Sequence, residues 1–290
     1  MTDERNDRGE PLMLVDRPAD GVACITFNRP RQRNAMSRAA RTALISALEG
    51  CRSTARVILL TGAGPAFCAG IDLKEADAEG PKRDALGGDA PWIAVQEAIR
   101  RHPAIVISVV NGFALGGGVT LINAADLALA AADAQIGMPE IGFGLYPGLA
   151  GPSTQLRLGQ KRAAWLVLTG ERITGTTAAE WGLINAATPA EELQGRALAL
   201  ATQIAAHDAV TLSWCKKALW EVPMHISDWT TALEYGEGVG VQIRALTDAV
   251  SSGLATFAAG GRSPSQGQGW DQNPNQEPEQ SAAPPTEGRS

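Results

Sequence analysis

The sequence has little of what marks several broad classes of protein. Its three histidines, His102, His207 and His225, are scattered and form no HExxH-like cluster, so a metal centre is not expected and each reads as structural. The four cysteines, Cys24, Cys51, Cys68 and Cys215, make no CxxC pair. The opening residues MTDERNDRGE are charged and lack an apolar core, so no secretory signal is expected. The cysteines therefore read as reduced thiols of a cytoplasmic protein. No apolar run approaches the ~18 residues of a membrane span. Basic charge is not in surplus: 25 Lys and Arg against 31 Asp and Glu leave a net charge of −6, which argues against general nucleic-acid binding. What remains is a chain of 290 residues, 44% apolar, long enough for one large domain, or for one domain with a small appendage.

The most informative stretch is Asn111–Gly148. Just before it, Ala104–Val110 (AIVISVV) reads as a buried strand. Gly116, Gly117 and Gly118 follow, and then a helix-like segment with Val119, Leu121 and Ile122 as apolar positions. A strand–glycine–helix unit presents unpaired backbone N–H groups at the positive end of a helix, where negative charge is favoured. Read by itself, a triple glycine is equally a tight packing turn.

In chain order, residues 1–11 read as a flexible leader. Residues 12–28 read as a hairpin turning at Ala19–Asp20–Gly21. Ser37 is placed to cap a helix over 38–51, with Ala40, Leu44, Ala47 and Leu48 on one face. Arg31 and Arg33 on the preceding connection read from the residues alone as solvated loop charge. A strand is expected over 56–61. The GAGPAF that follows has Phe67 where a dinucleotide fingerprint needs its third glycine, which sets aside a nicotinamide-dependent function. In AGIDL, Gly70 is expected at another helix start. Residues 76–91 are polar and glycine-rich and read as a loop over a site; 92–101 are helical. Helices are expected over 157–169, 177–181 with Gly182 as cap, and 191–206. From 209 to 258 the pattern is almost wholly helical, with Trp214, Leu219, Trp220, Trp229, Leu233 and Val250 as anchors. From Gly260 the composition turns to Gly, Pro, Gln and Ser, and 260–290 is expected to be disordered.

Several of these segments, in this order, resemble the crotonase family, the enoyl-CoA hydratase/isomerase superfamily. They are ITFNRPRQRNAMS (25–37), VILLTGAGPAFCAGIDLKE (57–75), NGFALGGG (111–118), AAD (124–126), MPEIGFGLYPG (138–148) and LTGERITGTTAAEWGLIN (168–185). The resemblance spans about residues 22–257. It implies an α/β fold, a spiral of ββα turns over 12–207, followed by a C-terminal helical region over 208–259 that packs subunits into a homotrimer or a dimer of trimers. No cofactor is implied beyond the coenzyme A of the thioester substrate, and neither a nucleic acid nor a membrane is an implied partner.

The chemistry shared by the family is stabilisation of a thioester enolate. By resemblance, the oxyanion-hole donors are the backbone N–H groups of Ile71 and Gly117; losing one such donor typically costs about 10²–10³ in rate. The same resemblance draws Arg31, Arg33, Ala69, Gly70, Asp72, Leu73, Lys74 and Gly116 to the acyl-CoA, with the arginine loop beside its nucleotide end. The family's hydratases use two glutamates. One corresponds to Glu140 in MPEIG; the other would stand four residues after Gly116, where this chain has Thr120. A threonine hydroxyl cannot act as a base near neutral pH, although it can hold a water. Glu140 could then work alone, as acid and base in turn, if a dry pocket raises its pKa. The resulting expectation is an enoyl-CoA hydratase with one catalytic glutamate. The alternatives are a 3-enoyl-CoA to 2-enoyl-CoA isomerase, a hydroxycinnamoyl-CoA-type hydratase-lyase, and a catalytically weak CoA-thioester binding subunit.

Overall fold

The structure is a computed structural model that describes residues 5–72, 75 and 90–259. The expected hairpin is there: β1 (Met13–Ala19) and β2 (Val22–Phe27) pair antiparallel around Asp20–Gly21. Within the expected leader, the Asn6 side chain donates to the Asn28 carbonyl at 2.8 Å, so residues 5–11 are tied to the end of this hairpin. Ser37 caps α1 (Arg38–Cys51) by accepting from the Ala40 N–H, and Ala40, Leu44 and Leu48 are buried along one face. β3 (Val57–Gly62) and β5 (Ile105–Val110) are buried along their whole length, as continuous apolar runs in a parallel sheet require.

From β3 to β8, successive strands are dealt alternately to two sheets. β3, β5, β7 (Leu127–Ala131) and β10 (Ala186–Thr188) extend the hairpin into a six-stranded sheet, parallel beyond β2. β4 (Ala66–Cys68), β6 (Phe113–Leu115), β8 (Gln135–Gly137) and β9 (Ile173–Thr174) form a smaller sheet, in which β4, β6 and β8 run parallel. Each pair of strands is one step of a spiral, and a helix returns the chain to the next. Two such helices matter below: α2 (Ala90–Arg100) and α3 (Gly117–Ala124). The core fills the space between the sheets and these helices, with Phe27, Phe67, Trp92, Leu60 and Leu121 among its fully buried side chains.

Beyond β8 come a 3₁₀ turn, Pro139–Phe143, then α4 (Ala150–Gln155) and α5 (Gln160–Thr169). The helix expected from Arg157 therefore begins three residues later, because Gly159 takes an extended conformation ahead of Gln160. α6 (Gly175–Trp181) ends on Gly182 in the left-handed conformation, as expected. α7 (Leu193–Ala205) completes the core side. The C-terminal part is three helices, α8 (Ala209–His225), α9 (Trp229–Leu246) and α10 (Ala249–Ala258). Of its expected anchors, Trp214, Trp220 and Val250 are half-buried, but Leu219, Trp229 and Leu233 are exposed. Helical spacing identifies an apolar stripe without saying whether this chain covers it. Among the described residues, no helix is long and apolar enough to cross a membrane. Most of the loop expected over 76–91, and the tail 260–290, lie outside the described residues.

Candidate active site

The three parallel strands of the small sheet set the site. β4, β6 and β8 are neighbours, and the chain leaving their C-terminal ends carries, in turn, Gly70–Ile71, Gly116–Gly117 and Glu140. Ends of adjacent parallel strands are where α/β folds gather ligands, because each exit loop converges on the same edge.

At the first exit, Gly70 has φ +92°, a conformation that side chains resist, and a Cβ there would lie 2.8 Å from the Leu115 carbonyl oxygen. The expected helix start is not at Gly70. Instead, Ile71 pairs with Met36 as a parallel bridge: the Met36 N–H donates to the Gly70 carbonyl, and the Asp72 N–H to the Met36 carbonyl. In that pattern the N–H of Ile71 points away from Met36. It therefore faces the side opposite that strand, where a ligand would meet it.

At the second exit, the Gly116 N–H donates to the Gly137 carbonyl at 2.9 Å, and α3 begins at Gly117. The first N–H groups of a helix have no partner within it. Gly70 and Gly117 press together: a Cβ on Gly70 would sit 3.0 Å from the Gly117 nitrogen. The two expected donors thus come from neighbouring segments that only glycine allows to approach so closely.

At the third exit, Glu140 lies in the 3₁₀ turn with its side chain half-buried. Gly116 has φ +50°, and a Cβ there would lie 2.5 Å from Glu140 Oε1. The carboxylate therefore packs directly against the residue before Gly117. Its Oε2 is shielded and has no hydrogen-bond partner among the described residues. Burial pushes the Glu140 carboxyl above the ordinary glutamate range, against an opposing hydrogen bond from its own backbone N–H. A desolvated carboxylate beside two convergent donors can move protons next to a developing oxyanion.

Thr120, expected near Glu140 as a possible water contact, is fully buried in α3. Its hydroxyl donates to the Gly117 carbonyl at 2.6 Å and accepts from the Trp92 indole N–H at 2.8 Å. This corrects the expectation that the hydroxyl is turned to a water in the site. Arg31 and Arg33 are exposed on their connection, and the Ala69 N–H donates to the Arg33 carbonyl at 3.0 Å, which couples that loop to the first exit. Asp72 is held by Arg29 at 2.9 Å, so part of its charge is spent on fixing the same loop. Leu73 and Lys74 lie outside the described residues. The residues that sequence reasoning missed are Arg29 and Trp92. Neither had a local signal, since their partners lie 43 and 28 residues away.

A cavity of about 560 Å³ beside α8, lined in part by Arg100, His102, Lys216 and Trp220, contains none of these groups. Lys216 there is buried with all three of its donors engaged, by Asp126 and by the carbonyls of Ile99 and Ala104. It reads as a structural ion pair.

Known proteins share this architecture. Residues 17–233 match the family model described as enoyl-CoA hydratase/isomerase. The chain belongs to this family, within the crotonase superfamily. It is 33% identical over 220 residues to the hydroxycinnamoyl-CoA hydratase-lyase of Pseudomonas fluorescens, covering 70% of this chain and 78% of that protein. It is 34% identical over 201 residues to the 2,3-dehydroadipyl-CoA hydratase of Escherichia coli K12, covering 68% and 78%. Among solved structures, the enoyl-CoA hydratase of Mycobacterium smegmatis superposes with a TM-score of 0.82 at 30% identity, over 87% of this chain and 98% of that one.

Proposed function

We propose that this protein hydrates the double bond of a 2-enoyl-CoA, with Glu140 as its one catalytic carboxylate. The observation that carries the reading is the position of that carboxylate: half-buried, raised in pKa, and packed against Gly116 beside the N–H of Gly117. Ionised Glu140 takes a proton from water, and the hydroxide adds to C3 of the enoyl group. The displaced electron pair moves onto the thioester oxygen, where the N–H groups of Ile71 and Gly117 receive the charge. Protonated Glu140 then returns its proton to C2, which restores the carboxylate. One group suffices because the two proton movements occur in sequence. No cofactor enters beyond the coenzyme A of the substrate. Arg31 and Arg33 are suited to meet its phosphates, and the hydrogen bond between their loop and Ala69 would transmit that contact to the site.

The test is mass spectrometry of 2-enoyl-CoA and 3-enoyl-CoA thioesters incubated with the protein. Hydration predicts a product heavier by one water from the 2-enoyl series. A second reading, isomerisation of a 3-enoyl-CoA, is favoured by the burial of Thr120, whose hydroxyl is engaged by Gly117 and Trp92 and is not turned to a water. Rapid deuterium exchange at C4 of a 3-enoyl-CoA, with no hydroxyacyl product, would decide for isomerisation. The Pseudomonas fluorescens relative is named a hydratase-lyase. Cleavage of a hydrated product would draw on the same oxyanion donors, and an aldehyde released from hydroxycinnamoyl-CoA would reveal it.

The same reading includes assembly into trimers or pairs of trimers. Its support is the exposed apolar surface of Phe143, Leu145 and Tyr146 beside Glu140, and of Leu219, Trp229 and Leu233 on α8 and α9. It also places the protein in the cytoplasm, consistent with thiols that are all free.

A further inference from the structure

Gly117 is the middle of three consecutive glycines, so its own segment offers no side chain by which to anchor its peptide. The anchor comes from α2. Trp92 is fully buried, and it meets the first turn of α3 twice. Its ring edge closes on the backbone, since a Cβ on Gly117 would lie 2.7 Å from Trp92 Cζ2. Its indole N–H donates to Thr120 Oγ1 at 2.8 Å, and that hydroxyl donates onward to the Gly117 carbonyl at 2.6 Å. The ring limits where the Cα of Gly117 can sit, and the relay fixes the peptide plane on its far side. With the Gly116 carbonyl accepting from the Val119 N–H at 2.9 Å, the chain is held on both sides of the Gly117 Cα, and this sets the direction of the Gly117 N–H. Consecutive hydrogen bonds polarise and strengthen one another.

We propose that Trp92 is a positioning residue for the oxyanion donor: with its ring and through Thr120 it holds the Gly117 Cα and carbonyl, and so keeps the N–H of the preceding Gly116–Gly117 peptide directed at the thioester oxygen. The inference rests on the enolate chemistry proposed above. It also accounts for a threonine at 120, because a glutamate there could not act both as relay to the Gly117 carbonyl and as acceptor of the indole N–H while ionised. The device acts without touching substrate.

The test uses Trp92→Phe, which keeps the ring and removes the donor, Thr120→Val, which removes the hydroxyl at similar volume, and Thr120→Ser, which restores it. The double variant Trp92→Phe/Thr120→Val leaves no buried donor stranded, so it remains informative if a single variant folds poorly. Two probes are used: butyryl-CoA, to measure thioester affinity, and acetoacetyl-CoA, whose enolate has its own ultraviolet band. Misplacing a catalytic group by about an ångström costs up to about 10²-fold, so Trp92→Phe, Thr120→Val and the double variant should lose about 10–10²-fold in kcat. They should lose the enolate band in step with kcat, with butyryl-CoA affinity close to wild type. Thr120→Ser should recover both kcat and the band. A double variant with wild-type stability, kcat and enolate band would overturn the inference, leaving Trp92 a packing residue only. A wild-type protein that binds butyryl-CoA but raises no enolate band would remove the enolate chemistry, and this inference with it.

Discussion

The two walls of the candidate site are built in opposite ways. On the donor side, residues 118–124 of α3 are all buried, and Thr120 and Trp92 are wholly enclosed. On the acid side, the 3₁₀ turn has no buried residue, and Ile141–Tyr146 is exposed throughout. The contrast follows from what each wall must do. A pair of N–H dipoles stabilises charge best when it cannot reorient, so it belongs in a packed corner. A carboxyl that both takes and gives a proton needs a pKa nearer the working pH, which desolvation supplies. On this chain alone that desolvation is partial, since Phe143 is 65% and Leu145 59% exposed beside the acid. A covering surface, such as the second subunit proposed above, would dry the acid further and raise its pKa more. Among the described residues the donor wall is packed by this chain itself, whereas the acid wall is left open to whatever the proposed assembly would lay over it.

Several experiments would break or sharpen this contrast. The largest effect is expected from Glu140→Gln, which keeps shape and removes titration: turnover should fall by about 10²–10⁴-fold in a folded protein. Circular dichroism would verify the folding. Next is replacement of the Gly116–Gly117 amide by an ester, which deletes one donor. Turnover should fall by about 10²–10³-fold while butyryl-CoA affinity changes far less, because the bond strengthens in the transition state. Comparable losses in both would make that N–H a substrate contact only. Gly116→Ala puts a methyl against Glu140 Oε1 and strains a positive φ; such strain costs about 1–3 kcal/mol, readable by denaturant titration. Phe143→Asp should leave the donor wall intact but shift the oligomer towards monomer in sedimentation. A monomer as active as the assembly would show that the acid wall needs no cover.

The smallest effect is on stability against pH. Glu140 has a folded-state pKa above its unfolded value, so the protonated form favours folding. That contribution is present below the unfolded pKa and is lost as pH rises through the raised folded pKa. Glu140→Gln should therefore melt slightly higher than wild type at pH 8, with the gain vanishing below the ordinary glutamate range. Calorimetry at both ends of that range checks the sign.

How much of this was legible in the sequence depends on the range of the interaction involved. The hairpin at Asp20–Gly21, the Ser37 cap, the buried run 105–110 and the Gly182 stop all follow from residues within a few positions of one another. Gly117 and Glu140 are singled out by motif resemblance, and the structure sets both at exits of adjacent strands, where the proposed donor and acid would have to stand. The alternation between two sheets was not legible as a repeat, because the inner strands are only two or three residues long. Gly70 reads locally as a helix start, and only the bridge between Ile71 and Met36, 35 positions earlier, turns this exit into a strand-like one. Thr120 reads as a site hydroxyl until Trp92 is found to occupy it. Leu219, Trp229 and Leu233 read as apolar anchors, but helical spacing cannot tell a surface covered by this chain from one left open.

The most direct test of a single carboxylate serving both proton movements compares two rates in wild type and Glu140→Gln. One is hydration of crotonyl-CoA; the other is exchange of the C2 protons of butyryl-CoA in deuterium oxide, which needs proton removal and return but no added water. Glu140→Gln should suppress both by a similar factor, within the ~10²–10⁴-fold worth of one acid–base group. Exchange that survives in Glu140→Gln while hydration is lost would contradict it and place a second proton carrier in the site.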